Sequence, residues 1–455
     1  MRKIDFLRIP VLLLMAAICL QMNMNSAVAE ETAAERGYRL LTTRAYLPPD
    51  FDQGVFDDLW KVWPDDWKQK AEQASPEERR ELIFSYYGIM QRPESEESPL
   101  GYVVTPEQKW VMNCFNCHGG KVAGTVIPGA PNSHVALHTL TEDVSKVKLQ
   151  QLKKLSHMDL AALGIPLGTT HGTTNSVIFG VVLDSLRDPE MNFDRSRPVP
   201  ELLHHDMDPP AWWNVKRKSR IYVDAFVTKN HRMLMQFILV PRNNARQVKE
   251  WEADFADILA YIESLEAPRY PWSINEQLAG QGQTIFNEHC ARCHGTYGSD
   301  SDYPLKTVAI SELKTDPVRL NSLPAAYRAA LNQSWLSRYG KDPVVESPGG
   351  YVAPPLNGVW ASAPYFHNGS VPTLWHVLNP QNRPEIWKRT ENGYDQSHIG
   401  LEVQTYSKMP EGLSRMQKRL YFDTSQFGKS AAGHDYPDEL SIEQKKAVLE
   451  YLKTL

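Results

Sequence analysis

Apolar positions recur at helical spacing most clearly between Ala245 and Leu265. Val248, Trp251, Phe255, Ile258, Leu259, Ile262 and Leu265 form one stripe behind Asn244, a good N-cap, so the pattern predicts an amphipathic helix. A second stripe, Ala447, Val448, Tyr451 and Leu452, closes the chain, and Ser441 with Gln444 spells a capping box ahead of it. Pro76 to Ile83, with Ser75 before it and acids in its first turn, predicts another helix. Trp60, Trp63 and Trp67 are spaced as one helical face. Pro64 interrupts them and marks a kink or boundary, and their bulk predicts core packing. Thr105-Pro106-Glu107 predicts a helix start that carries Trp110 and delivers Cys114. Glu142 to Leu163 reads as a helix with Thr141 as its N-cap. Gly282, Phe286 and Cys290 have the four-residue spacing of a helix entering a second cysteine cluster. Gly164 to Arg220 is turn-rich, and Glu266 to Ser273, with Pro268 and Pro271, reads as a linker.

The first residues carry a different pattern. Arg2, Lys3 and Arg8 precede an apolar run from Ile9 to Leu20 that is shorter than the roughly 20 residues needed to span a bilayer. Ala27-Val28-Ala29 then fits a cleavage site before Glu30. Residues 1–29 are therefore expected to be a signal peptide. The mature chain is expected to be periplasmic or secreted, with no stable membrane insertion. The length of 455 residues predicts two or three domains, and 42% hydrophobic content supports real cores. A formal net charge of −5 argues against a nucleic-acid partner.

Removing the leader removes Cys19 and leaves four cysteines in two clusters. These are Cys114-Phe115-Asn116-Cys117-His118 and Cys290-Ala291-Arg292-Cys293-His294. Cys-x-x-Cys-His is the attachment motif of c-type haem: both thiols reach the vinyl groups of one porphyrin and the next residue lies under the iron. Zinc-ribbon halves would lie about 15–20 residues apart, far closer than these. Thioredoxin-like pairs or plain disulfides leave both trailing histidines unexplained. The reading is two covalently bound haem c groups, with Cys114, Cys117, Cys290 and Cys293 as attachment residues and His118 and His294 as proximal ligands.

The sixth iron position separates an electron carrier from an enzyme. For the second haem the candidates are His434, in a loop ahead of the terminal helix; His367, in a Gly/Pro-bounded loop; and Met409. For the first haem nothing stands out: His134, His138 and His171 follow the motif in loops, and each is as well explained by an ordinary hydrogen bond. A peroxidase also wants a general base, for which Glu107 and Glu201 are the weak candidates. Lys216, Arg217, Lys218 and Arg220 form the densest basic run, suited to haem propionates, an acidic redox partner or plain solvation.

The string Ala353-Pro354-Pro355-Leu356-Asn357-Gly358-Val359-Trp360, continuing through Ala363-Pro364-Tyr365-Phe366-His367-Asn368-Gly369 to Leu374, resembles the segment after the second haem of the bacterial di-haem cytochrome c peroxidase superfamily. The likeness is closest to the branch of the latex-cleaving rubber oxygenases. Pro209-Pro210-Ala211-Trp212-Trp213 and Gly433-His434-Asp435-Tyr436 resemble two further segments of that branch. The resemblance implies a mostly α protein: two cytochrome c-like haem domains with long loop insertions, at 30–265 and 274–455. It implies a reactive first haem with an open position, an electron-transfer or structural second haem, and His434 as the sixth ligand of the latter. The substrates it implies are hydrogen peroxide, dioxygen or an organic compound, with a small redox protein as electron donor. The competing expectations are a non-catalytic electron-transfer cytochrome and an oxidative maturation enzyme acting on a protein.

Overall fold

The computed structural model describes residues 30–299 and 301–455. The expected signal peptide lies outside the described residues. About 42% of the described residues are helical and 14% are in strands, so helix is the predominant regular structure.

Helix α1 (Ala33–Thr43) starts at a Thr32/Glu35 capping box. Helix α2 (Pro76–Tyr87) starts at the expected cap, Ser75, which forms a capping box with Glu78, and ends at Gly88 in the left-handed conformation. Next come α3 (Leu137–Gln150) and α4 (Ser176–Ser185). The stripe after Asn244 is helical but divides at Trp251 into Ala245–Glu250 and α5 (Glu252–Ser264); Asn244 caps Gln247 N at 2.9 Å. Helix α6 (Glu276–His289) leads into the second cysteine cluster, and α7 (Ile442–Leu452) begins at the Ser441/Gln444 box.

Two helix crossings frame the attachment motifs, and each turns on a glycine. A Cβ on Gly37 of α1 would lie 2.1 Å from the Asp257 carbonyl oxygen of α5, and one on Gly282 of α6 would lie 1.9 Å from the Ala447 carbonyl oxygen of α7. Only a residue without a side chain lets these backbones approach so closely.

Several sequence expectations are corrected. Thr105–Gln108 is a turn and Lys109–Met112 a strand, paired with Tyr102–Val104 and Phe51–Asp52, because Trp110 and Val111 are buried in a small sheet. Thr141 is inside α3, not at its cap, and the helix breaks after Gln150 before a short one at His157–Ala162. Helix α4 arises within the turn-rich stretch, because Ile178 and Val181 bury a face there. The tryptophan run is split at Pro64: Trp63 is buried, donates from Nε1 to the Tyr87 hydroxyl at 2.8 Å, and stacks on Tyr86 at 4.5 Å.

One core, with Leu41, Phe115, Trp212, Phe226 and Phe255, surrounds the first motif; another, with Trp213, Phe286, Trp360, Tyr365 and Val448, surrounds the second. The adjacent Trp212 and Trp213 thus enter different cores and tie them together. No helix among the described residues is long and apolar enough to cross a membrane.

Behind the site, Asp224 receives two buried guanidinium groups, Arg328 at 2.8 Å and Arg319 at 3.4 Å, both also facing the Phe226 ring. All three side chains are essentially inaccessible. Asp224→Asn leaves two buried cations without a counter-charge and is expected to cost about 3–5 kcal/mol. The readout is the denaturant midpoint; a midpoint within error of wild type would show that the carboxylate does not hold the cluster.

Candidate haem site

The first attachment turn is a single helical turn, Phe115–His118, reached directly from the strand Lys109–Met112. Asn113 pins it: its Oδ1 accepts from Phe115 N at 2.9 Å, and its Nδ2 donates to the carbonyls of Leu41 and Leu100. Asn132 holds the other side, donating from Nδ2 to the Asn116 carbonyl at 2.8 Å. The second turn, Ala291–His294, continues from α6 and stops at Gly295 with φ +80°. Tyr297 clasps it, donating its hydroxyl to the His294 carbonyl at 2.9 Å and accepting from Leu356 N at 2.6 Å. None of the four cysteines forms a disulfide.

Both proximal histidines are held in the same way. His118 Nδ1 lies 3.0 Å from the Pro210 carbonyl, and His294 Nδ1 lies 2.9 Å from the Pro354 carbonyl. A carbonyl only accepts, so each Nδ1 carries the proton and each Nε2 keeps its lone pair for a metal. Burial lowers both imidazoles, His118 to about 4, which keeps them neutral as ligation requires. The His118 ring is stacked on Trp212 at 4.7 Å and 23°.

His118 and His294 open onto one continuous cavity of about 510 Å³, whose walls also include Cys290, Cys293, His434 and His367. Its size and its largely apolar lining suit a bulky planar cofactor. The ring facing His294 is His434, with centroids 6.1 Å apart and planes at 69°. Two imidazoles bound on opposite sides of one metal, each through a bond of roughly 2 Å, hold their centroids about 6 Å apart. Among the described residues His434 Nδ1 is buried without a hydrogen-bond partner, and burial together with the neighbouring His294 pushes this imidazole down to about 3. The residues at the second motif therefore fit haem c, with Cys290, Cys293, His294 and His434 able to hold one group; at the first motif His118 lines the same cavity, whereas Cys114 and Cys117, on its turn, do not.

The other candidates are distributed differently. His367 lines the cavity but packs on Tyr351 at 4.5 Å rather than facing His294. Met409 is in a loop and does not line the cavity. His138 is committed to the protein, with Leu167 N 2.9 Å from Nδ1 and Glu142 3.2 Å from Nε2. His171 Nε2 lies 3.1 Å from the Thr139 hydroxyl, and His134 borders a separate small pocket. Glu107 and Glu201 are exposed and outside the cavity. The two proline carbonyls escaped the sequence reading. A repeated Pro-Pro pair, Pro209-Pro210 and Pro354-Pro355, one downstream of each motif, was the signal that could have found them.

These features define a haem c-type cytochrome with covalently bound haem c. Residues 350–388, the segment that contains the Pro354 carbonyl and His367, match a family described as RoxA-like, cytochrome c-like. The chain is also similar to two uncharacterised proteins of Sinorhizobium fredii. It is 28% identical to y4iM over 237 residues, covering 43% of this chain and 52% of that one. It is 25% identical to y4iJ over 257 residues, covering 42% and 41%. The chain thus spans about half the length, or less, of these relatives. The family match supports a relation to the RoxA-like di-haem cytochromes.

Proposed function

We propose that this protein is an exported di-haem cytochrome that works as a redox enzyme, related to the di-haem peroxidases and rubber oxygenases, with two unlike haem sites. The site of Cys114, Cys117 and His118 is the reactive one, where peroxide is reduced or dioxygen is activated against an organic substrate. The site of Cys290, Cys293, His294 and His434 is six-coordinate and serves electron transfer or the fold. Haem iron with an open position binds such small oxidants, whereas iron with two axial histidines exchanges electrons.

The observation that carries this reading is the asymmetry between the two proximal histidines. His294 has His434 across from it at 6.1 Å, whereas the ring contacting His118 is Trp212, whose indole nitrogen only donates. The chain's own contribution at the first site is positional. The Pro210 carbonyl fixes the His118 tautomer, Trp212 fixes its plane, and apolar residues such as Val177, Leu234 and Phe237 exclude water from the shared cavity. Electrons come from a small redox protein or another donor outside the membrane.

EPR and visible spectroscopy on the haem-loaded protein test the reading. The expected result is one high-spin ferric haem whose ferrous form binds carbon monoxide, beside one low-spin haem. Two low-spin haems that refuse carbon monoxide would leave an electron carrier and end the enzyme reading.

A further inference from the structure

The basic run at Lys216–Arg220 is sorted by the fold. Lys216 pairs with Glu266 at 2.5 Å. Arg217 donates to Asn357 Oδ1 at 2.8 Å and lies over the Tyr297 ring at 5.1 Å. Arg220 donates to the carbonyls of Ala225, Phe226 and Pro343. Nearby Lys229 reaches Glu263 at 2.5 Å and the Val215 carbonyl at 3.2 Å. Lys218 differs from all of these. Among the described residues its ammonium has no hydrogen-bond or ion-pair partner, and it lines the haem cavity.

An ammonium on an apolar wall is costly unless an anion meets it. Its sequence neighbours Val215, Ile221 and Tyr222 line the same cavity, as does Lys229, and none of them is acidic. Asp208 is the acidic residue of the lining, but burial alone holds its carboxyl well above the usual range, with no cation acting on it. Burial likewise lowers the Lys218 ammonium to about 8, with no carboxylate to restore it. The protein therefore presents a cation without a counter-charge to the space a haem would fill. Haem c brings two propionate carboxylates on the porphyrin edge away from its thioether links.

We propose that Lys218 is the charge partner of a propionate on the haem held by Cys114, Cys117 and His118, and that it raises that haem's reduction potential. The choice of haem follows from the chain. The 3-10 helix Trp212–Arg217 begins with the residue stacked on His118, and Lys218 ends it, its N–H donating to the Val215 carbonyl at 3.0 Å. A cation that neutralises a propionate favours the ferrous form, because reduction adds negative charge beside it. The proposal rests on the reading that a haem is attached at the first motif.

The test uses the full haem-loaded chain. A pyridine haemochrome count establishes the number of haems, and spectroelectrochemistry then resolves their two potentials in wild type, Lys218→Gln, Lys218→Arg and Arg217→Gln. In Lys218→Gln the first haem should become harder to reduce. Its ferric-to-ferrous ratio at fixed potential should rise about tenfold, equal to 59 mV for one electron. Lys218→Arg should stay within about twofold of wild type, and Arg217→Gln should leave the first haem unchanged. Lys218→Met, which keeps the apolar stem, replaces Lys218→Gln if the latter does not mature. An unchanged first-haem potential, or a shift confined to the other haem, overturns the proposal while leaving the two-haem reading intact. A count of one haem, attached only at Cys290 and Cys293, overturns both.

Discussion

Replacing His434 with glycine should turn the haem at His294 from low spin to high spin. The ferrous form should then bind carbon monoxide, and added imidazole should restore the low-spin spectrum. The expectation follows from how little else the side chain does. Its ring meets those of His294, Phe366 and Tyr436, and its Nδ1 bonds to nothing. The loop is held by its backbone. His434 N donates to the Leu313 carbonyl at 2.8 Å, and Arg383 donates to the carbonyls of Ala431 and Gly433 at 2.6 and 2.7 Å. His434 also sits at φ +54°, a conformation that glycine adopts more readily than histidine. The substitution therefore removes the proposed ligand without straining the loop. His367→Gly is the control: its ring lies on Tyr351, and the spin state should not change. A low-spin spectrum retained in His434→Gly would remove His434 from the iron.

His118→Gly should lower turnover of peroxide, or of dioxygen with an organic substrate, by at least about a hundredfold, the scale expected when an essential group at the reacting centre is lost. The spectrum of the haem at His294 should stay as in wild type. The thioether bonds would be made by the sulfurs of Cys114 and Cys117, not by the imidazole, and Asn113 and Asn132 still brace the turn. Imidazole added to the variant should recover part of the activity, because the Pro210 carbonyl remains to accept its N–H and Trp212 to stack on it. Full activity in His118→Gly would move the reactive centre away from the first motif.

The two variants act on opposite sides of the same asymmetry. On the proposed reading, one opens a closed site and the other disables an open one. The proposed role of Lys218 bears on a third property, the potential of the haem at the first motif. Each rests on a different contact: a facing ring, a proximal carbonyl and an unpartnered cation.

Some of this was legible in the sequence for a local reason. Cys-x-x-Cys-His confines attachment and proximal ligation to five consecutive residues, so residue identity and spacing are enough to recognise it. The N-cap at Ser75 and the capping box at Ser441 are equally local, since each involves residues within one helical turn. The stripe at 248–265 also read correctly as helix, although the break at Trp251 did not show in its periodicity.

Where local signals compete with packing, the sequence reading fails. Thr105-Pro106-Glu107 looks like a helix start, but the chain turns there, and Trp110 is drawn into a sheet against Phe51 and Phe56 at 5.5 and 4.4 Å. Helix α4 lacks an N-cap side-chain bond and follows a run of turn residues, so what stabilises it is the burial of Ile178 and Val181.

By itself, then, the sequence pointed to a c-type cytochrome, singled out the two five-residue motifs as its candidate attachment sites, and placed the caps at Ser75, Asn244 and Ser441. Only the tertiary structure decided which ring faces His294, because His434 lies 140 residues further along and its rival His367 is equally near in pattern. The same holds for the carbonyls that orient the rings of His118 and His294, 92 and 60 residues from their histidines, and for Lys218 as the member of its basic run without a partner among the described residues. Ligand geometry, tautomer and charge compensation depend on groups brought together by long-range packing, and no local spacing encodes them.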